Sequence, residues 1–328
     1  MKLSVLGLGN WGTALANHLA LCGHDVLGWS IEPSIVEGIN SEQRNPLYQS
    51  DILLEPGVKA TGVLSQALER DFLVLVIPSS ALSDVIPQLQ MTKDAVLVSA
   101  IKGLEIESNE TPLTYAQQRL PQETKLAVLS GPSFAKDIVA KRPAGVVSAS
   151  HDEETARFVA ETFSSDSLKV YISTDPLGVE LGGILKNVIA LAVGVCDGVG
   201  FGDSARAGLI TRGLAEMMRL ADAMGAQRQT LAGLSGLGDL VMTATCDTSR
   251  NRTVGLRLGQ GESLEHIVDT LGSVAEGVKT TPRVLKLAKK YGVEMPISQA
   301  VDALLNAQMN PLDLASSLLS RPLKREFD

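Results

Sequence analysis

Lys2-Leu3-Ser4-Val5-Leu6-Gly7-Leu8-Gly9-Asn10-Trp11-Gly12 opens the chain, and its order decides how the first half is built. Lys2–Leu6 is a short β-rich run, and an apolar-periodic helix continues from the glycines to about Leu21. A Gly-x-Gly-x-x-Gly segment set between a strand and a helix is a cradle for a dinucleotide pyrophosphate. Gly7 permits the tight turn, Gly9 lets the backbone approach the phosphates, and Gly12 lets the helix pack close to the strand. The helix N-terminus then offers unpaired N–H groups and a positive dipole end.

The second strand is Asp25–Trp29, whose end meets the adenosine ribose in such a fold. A carboxylate there favours NAD and an arginine favours NADP. This chain has Ser30, Ile31 and Glu32. Ser30 suits a hydroxyl or a phosphate, and Glu32 also reads as a plain solvent-facing residue, so NAD or NADP stays open. Phe72–Ile77, Ala95–Ala100 and Lys125–Leu129 are further Val- and Leu-rich runs separated by helical or polar stretches. Ala144–Ala149 and Leu168–Ser173 flank a helix at about Glu153–Thr162 and complete the sheet edge. Continuous apolar strands alternating with helices indicate a mostly parallel, doubly wound sheet covered on both faces. The expected architecture is an α/β Rossmann-type domain over residues 1–175 followed by an all-α domain over 176–328.

Beyond Asp175-Pro176 the strand signals fade. Glu180–Gly198 is almost continuously apolar yet carries Lys186 and Asn187 at its centre. At this length, and without alternation, it reads as a buried helix rather than a membrane span. On a helix, Lys186 and Asn187 share a face with Gly182, Gly183, Ala190 and Gly194, small residues expected to admit substrate and nicotinamide. Lysine is rarely buried without a partner, so Lys186 is either a structural ion pair or a catalytic group. Helices are also expected at Ala205–Met224, Val254–Leu258, Ser263–Thr270, Pro282–Tyr291 and Ser298–Leu305, with a short polar tail from Pro311.

The net charge of −8 argues against a general nucleic-acid binder. Cys22, Cys196 and Cys246 are too scattered for a disulfide framework or a zinc site, and no metal is expected. The N-terminus enters a strand at once, as no signal peptide does, and a cytoplasmic protein is expected. None of His18, His24, His151 or His266 lies in a strand-end or glycine-rich loop, which leaves lysine as the acid/base. Reducing a ketone by hydride leaves an alkoxide that needs a proton or a neighbouring positive charge, and Lys186 supplies both. Asp239 and Thr243, spaced i, i+4, share a helix face from which to orient Lys186 or bind hydroxyls. Asp239 alone also reads as a helix N-cap. Ser249-Arg250-Asn251-Arg252 reads as a phosphate grip, with Arg252 taken as part of a solvated basic turn. Lys102 sits at a strand end, where ligands of such sheets gather.

Gly7-Leu8-Gly9-Asn10-Trp11-Gly12-Thr13-Ala14, Ser130-Gly131-Pro132-Ser133-Phe134-Ala135 and Leu185-Lys186-Asn187-Val188-Ile189-Ala190 occur in that order. Gly236-Leu237-Gly238-Asp239-Leu240, Ser249-Arg250-Asn251 and Ala275-Glu276-Gly277 follow. Together they resemble NAD(P)-dependent glycerol-3-phosphate dehydrogenase of the bacterial biosynthetic type, nearly from end to end. The resemblance implies reversible reduction of dihydroxyacetone phosphate to sn-glycerol 3-phosphate for phospholipid synthesis, with a homodimer as the family-level expectation. It implies that Lys186 is the proton donor in reduction. By the same resemblance Lys102, Gly131, Ser133, Asp239, Ser249, Arg250 and Asn251 would line the substrate, and Asn187 and Thr243 join the expected set from their helix faces beside Lys186 and Asp239. Asn10, Trp11, Ala135, Val274 and Glu276 would contact the cofactor, with Lys102 and Arg250 expected within reach of both ligands; the loop reading adds Gly7, Gly9, Gly12 and Ser30. The chain departs from many members in having Ser30-Ile31 where Arg or His follows the second strand, and Ile101 where Thr is common before Lys102.

Overall fold

A computed structural model describes residues 1–271, 275–314, 320, 322, 325 and 326. The chain divides into two compact units, Met1–Glu180 and Leu181–Asp328.

In the first unit eight strands form one sheet, in the order β3-β2-β1-β4-β5-β6-β7-β8. They are β1 (Lys2–Leu6), β2 (Asp25–Trp29), β3 (Val58–Thr61), β4 (Phe72–Leu75), β5 (Val96–Ser99), β6 (Lys125–Ser130), β7 (Ala144–Ala149) and β8 (Leu168–Ser173). Every neighbouring pair is parallel except β6 and β7, where Val128 sits opposite Ala149 in an antiparallel ladder. The period-2 alternation of the strands feeds two separate cores. Phe72, Val74, Val96 and Val98 pack with Leu15, Leu19, Val159 and Phe163, whereas Leu73, Leu75 and Leu97 pack with Leu82, Ile86 and Tyr115. Burial on both faces is what a parallel sheet requires, and it explains the unbroken apolar runs. The strand order reverses at β1, so the crevice beyond the C-terminal ends of β1 and β4 is the switch point where ligands of such sheets bind. β3 has no clear sequence signature, because Val-Lys-Ala-Thr is short and alternates with the exposed Lys59. β4 stops two residues before the end of its apolar run, ahead of the turn at Pro78.

Among the described residues, every regular element of the second unit is a helix. Helix Pro176–Val199, whose first turn belongs to the first unit, is the longest at 24 residues. The Asp175 carboxylate accepts the Gly178 N–H at 2.9 Å and so caps its start. Among the described residues it is the one helix long and apolar enough to cross a membrane, and it is buried inside the protein. Gly182 and Gly194 serve a purpose different from the one expected. A methyl group at Gly194 would lie 2.2 Å from the Arg252 carbonyl oxygen, and one at Gly182 would lie 2.6 Å from that of Ser235. Reciprocally, a methyl at Gly255 would lie 2.1 Å from the Leu191 carbonyl. Gly194 and Gly198 thus mesh with Gly255 and Gly259 of helix Arg250–Gly259, backbone against backbone. At Gly182 and Gly194, two of the four small residues, the space is filled by neighbouring main chain rather than left for a ligand.

Several helices start earlier than the sequence suggests, and two of these starts have a plain local basis. Arg250–Gly259 begins four residues early because Ser249 caps it, its Oγ accepting the Arg252 N–H at 3.3 Å. Glu276–Tyr291 runs through Pro282, which the sequence places at the first position, and that proline removes one interior hydrogen bond.

Each unit also buries one carboxylate under a proline-led helix. Glu180 accepts the Leu113 N–H of helix Pro112–Gln117 at 2.8 Å. Glu216, on helix Asp203–Ala223, accepts the Ile297 N–H of helix Pro296–Leu305 at 2.6 Å and bonds both the N–H and hydroxyl of Ser298. Burial pushes each carboxyl up to about 7, against the opposing pull of these hydrogen bonds.

Candidate active site

The glycine loop has the form a dinucleotide needs. Gly7 has φ +104°, and a methyl there would lie 2.8 Å from the Val76 carbonyl oxygen. At Gly12 a methyl would lie 1.8 Å from the Gly7 oxygen, which no relaxation of side chains relieves. At Gly9, by contrast, a methyl would meet nothing within 4 Å. Gly9 is the extended N-cap of helix Asn10–Leu21, and no side chain caps that helix. The first backbone bond of the helix is Thr13 N–H to Gly9 O at 2.9 Å, so the preceding first-turn N–H groups have no helical acceptor. Trp11 Nε1 is buried without a hydrogen-bond partner. A positive helix end with open space at its cap glycine fits the pyrophosphate of a dinucleotide.

Around this loop the other expected residues take up identifiable places. Asn10 Oδ1 accepts from Gln49 Nε2 at 3.1 Å. At the end of β2, Ser30 is buried, its N–H donates to Thr61 O at 3.1 Å, and its hydroxyl donates to the Glu32 carboxylate. The Glu32 N–H returns to Ser30 Oγ at 3.2 Å. Glu32 is therefore half-buried and holds Ser30, not simply solvent-facing. The ends of β5 and β6 come together. Lys102 Nζ and Ser133 Oγ both donate to the Gly131 carbonyl, each at 3.2 Å. Gly131 has φ +152°, and a methyl there would lie 2.8 Å from Val146 Cα, so glycine is required. Ala135 begins helix Ala135–Val139 and, like Trp11, packs against the core on one face of the sheet.

In the helical unit Lys186 is buried, and its ammonium lies 3.0 Å from Asp239 Oδ1 and 2.7 Å from Thr243 Oγ1. Thr243 donates in turn to Asp239 at 3.2 Å. Helix Asp239–Thr245 sets the two partners one turn apart, and the π-helical turn Leu234–Gly238 leads into it. Gly238, not Asp239, is the N-cap, so the carboxylate is committed to the lysine rather than to a helix end. Removing one partner of such a buried pair costs about 3–5 kcal/mol, because the other charge is left uncompensated.

Asn187 belongs to a second chain of contacts. Its Oδ1 accepts from Asn251 Nδ2 at 2.8 Å, and its Nδ2 lies 3.4 Å from Glu276 Oε2. Asn251 Oδ1 accepts the Gly277 N–H at 2.8 Å, which fixes the first turn of helix Glu276–Tyr291. Val274 lies outside the described residues. Ser249 is buried as a cap, while Arg250 is exposed at the first turn of its helix. Arg252 is not part of a solvated turn. Its side chain is 13% exposed and pairs with Asp197 at 2.7 Å and Asp247 at 2.8 Å. Asp197 also binds Arg206 at 2.8 Å, so Arg252 is a structural cation.

Sequence patterning gave no reason to single out Asn45, which is fully buried against the glycine loop. Its only local signal is the Asn45-Pro46 turn dipeptide. Among the described residues, no three His, Cys, Asp or Glu side chains converge as a metal site.

Comparison with known proteins places both halves in one family. Residues 2–156 match the N-terminal family model of NAD-dependent glycerol-3-phosphate dehydrogenase, and residues 175–316 match the C-terminal one. An NAD(P)+ glycerol-3-phosphate dehydrogenase of Nitratidesulfovibrio vulgaris is 47% identical over 330 residues, covering 99% of this chain and 100% of the relative. One from Syntrophotalea carbinolica is 46% identical over 333 residues, covering 100% of both. The crystal structure of glycerol-3-phosphate dehydrogenase from Coxiella burnetii superposes with a TM-score of 0.93 at 36% identity, covering 98% of this chain and 99% of that one.

Proposed function

The chain belongs to the family of NAD-dependent glycerol-3-phosphate dehydrogenases, and from that premise we propose that it reduces dihydroxyacetone phosphate reversibly to sn-glycerol 3-phosphate with NAD(P)H. The observation that carries the reading is the buried Lys186 ammonium held by Asp239 and Thr243. When bound, the nicotinamide supplies the hydride that reduces the carbonyl carbon. Lys186 then gives its proton to the carbonyl oxygen, and its positive charge stabilises the alkoxide as it develops. Asp239 and Thr243 hold the ammonium in place and preserve its charge in a buried setting. Burial without Asp239 would favour the neutral amine and remove the donor.

The substrate phosphate is assigned to Arg250 with the Ser249 hydroxyl, and Asn187 and Asn251 position the substrate hydroxyls. Lys102, Gly131 and Ser133 complete the substrate set. Asn10, Trp11, the three loop glycines, Ala135, Val274 and Glu276 form the cofactor set. NADH is the preferred partner in this reading. The Glu32 carboxylate suits a ribose 2′-hydroxyl and repels a 2′-phosphate, and Ser30-Ile31 brings no cation. A cytoplasmic homodimer supplying glycerol phosphate to phospholipid synthesis completes the proposal.

The test is a side-by-side assay of NADH and NADPH oxidation with dihydroxyacetone phosphate. Turnover is expected with both cofactors, with higher kcat/KM for NADH. No turnover with either, while a carboxylate-bearing keto acid reacts, would overturn the assignment.

A further inference from the structure

We propose that Asn45 is a positioning residue for the cofactor pyrophosphate, acting by fixing the direction of the Gly9 N–H. The inference rests on the dinucleotide reading of the glycine loop and names the side chain that holds that loop in shape. Asn45 is fully buried and uses both ends of its amide. Nδ2 donates to the Leu8 carbonyl at 2.9 Å and to Thr13 Oγ1 at 2.8 Å. Oδ1 accepts the N–H groups of Leu47 and Tyr48, each at 3.1 Å. With two donors meeting two oxygens and one acceptor meeting two N–H groups, only this orientation of the amide satisfies every partner. Thr13 Oγ1 adds a second donor to the Leu8 carbonyl at 3.0 Å.

Leu8 is the residue between the first two glycines. Its peptide bond to Gly9 is trans and planar, so the Leu8 C=O and the Gly9 N–H point in opposite directions. With the carbonyl held inward by Asn45 and Thr13, the Gly9 N–H is turned away from the protein interior. A methyl group at Gly9 would meet nothing within 4 Å, so on that side of the residue a phosphate oxygen has room to approach. The same loop is tied to helix Asn10–Leu21 twice more. Gln49 Nε2 donates to Asn10 Oδ1 at 3.1 Å, and the Glu55 N–H donates to Asn17 Oδ1 at 2.7 Å. Residues 45–55 therefore brace the cradle from behind, and Asn45 alone reaches its backbone.

Two variants of the full chain separate orientation from charge and from general damage. Asn45→Asp keeps the acceptors for Leu47 and Tyr48 but loses both donors. Thr13→Val removes the other donor on the Leu8 carbonyl without changing charge. Calorimetric titration with NADH, ADP-ribose and adenosine reads the result. Both variants should bind NADH and ADP-ribose about tenfold more weakly, the loss of one charge-assisted hydrogen bond. Adenosine, which has no phosphate, should bind as before, and kcat at saturating NADH should stay within about twofold. Unchanged ADP-ribose affinity in both folded variants overturns the proposal, as does equal weakening of adenosine. Weakening in Asn45→Asp alone also overturns it, since charge repulsion then suffices. Should Asn45→Asp fail to fold, Thr13→Val decides by the same comparison. A parent that binds neither NADH nor NADPH overturns the dinucleotide reading itself, whereas a parent that binds while its variants bind equally well overturns only the role of Asn45.

Discussion

The glycine loop of the first unit and the lysine cluster of the second solve opposite problems. At the loop, main-chain N–H groups at the start of helix Asn10–Leu21 have no side-chain cap and are proposed to meet the cofactor, and Trp11 leaves a buried Nε1 unpaired there. At the cluster, side chains from positions 186, 239 and 243 converge on one buried ammonium. Backbone recognition needs small residues at fixed short spacing and no buried charge. Side-chain chemistry needs a charge kept buried, and therefore a partner built specifically for it. Substitutions at the loop should consequently alter cofactor affinity, and substitutions at the cluster should alter turnover.

Gly12→Ala is expected to have the largest effect. The added methyl would overlap the Gly7 carbonyl, so NADH binding should be abolished and stability should fall by more than about 3 kcal/mol. Gly9→Ala is its control, because that methyl meets open space: the melting temperature should hold while NADH binding weakens. A Gly12→Ala protein that binds NADH normally would break the contrast from the loop side. Asp239→Asn should come next. The ammonium loses its buried counter-charge, and kcat should fall about tenfold or more with NADH affinity retained. Loss of NADH affinity without loss of kcat would break it from the cluster side.

The smallest effect concerns stability and sharpens the comparison, since both units carry the same device. Glu180 and Glu216 have folded pKa values raised to about 7, so the native state keeps protons that the unfolded chain has released. Their stabilising contribution is complete below an unfolded value near 4.5 and is lost as pH rises toward 7. The unfolding free energy of the parent from urea titration should fall across that window, by roughly 3 kcal/mol per group at most. Glu180→Gln and Glu216→Gln should each flatten part of the slope without changing turnover. A slope identical to the parent in both variants would contradict the assignment of the titration to these groups.

Legibility in the sequence follows the same division. The α/β half could be read because its determinants are local: glycine spacing between a strand and a helix, and apolar runs punctuated by polar turns. β3 escaped because four residues with an exposed Lys59 carry too little pattern. Lys186 stood out as a charge in an apolar helix, and the i, i+4 spacing of Asp239 and Thr243 suggested their shared face. The Asn187–Asn251–Gly277 chain had no such signal, because its members are brought together only by folding. For the same reason Gly182 and Gly194 read, from sequence, as room for a ligand. Nothing local distinguishes a glycine that admits a substrate from one that admits another helix, and here Gly194 and Gly198 receive Gly255 and Gly259.

The most direct test of the catalytic role is one variant measured in two ways. Lys186→Ala should lower kcat for NADH-dependent reduction of dihydroxyacetone phosphate by about 10²–10⁴ at saturating substrates. Its equilibrium affinity for NADH should stay within about twofold of the parent. A folded Lys186→Ala enzyme that turns over near the parental rate would show that the buried lysine is only an ion-pair partner, and that the proton comes from elsewhere.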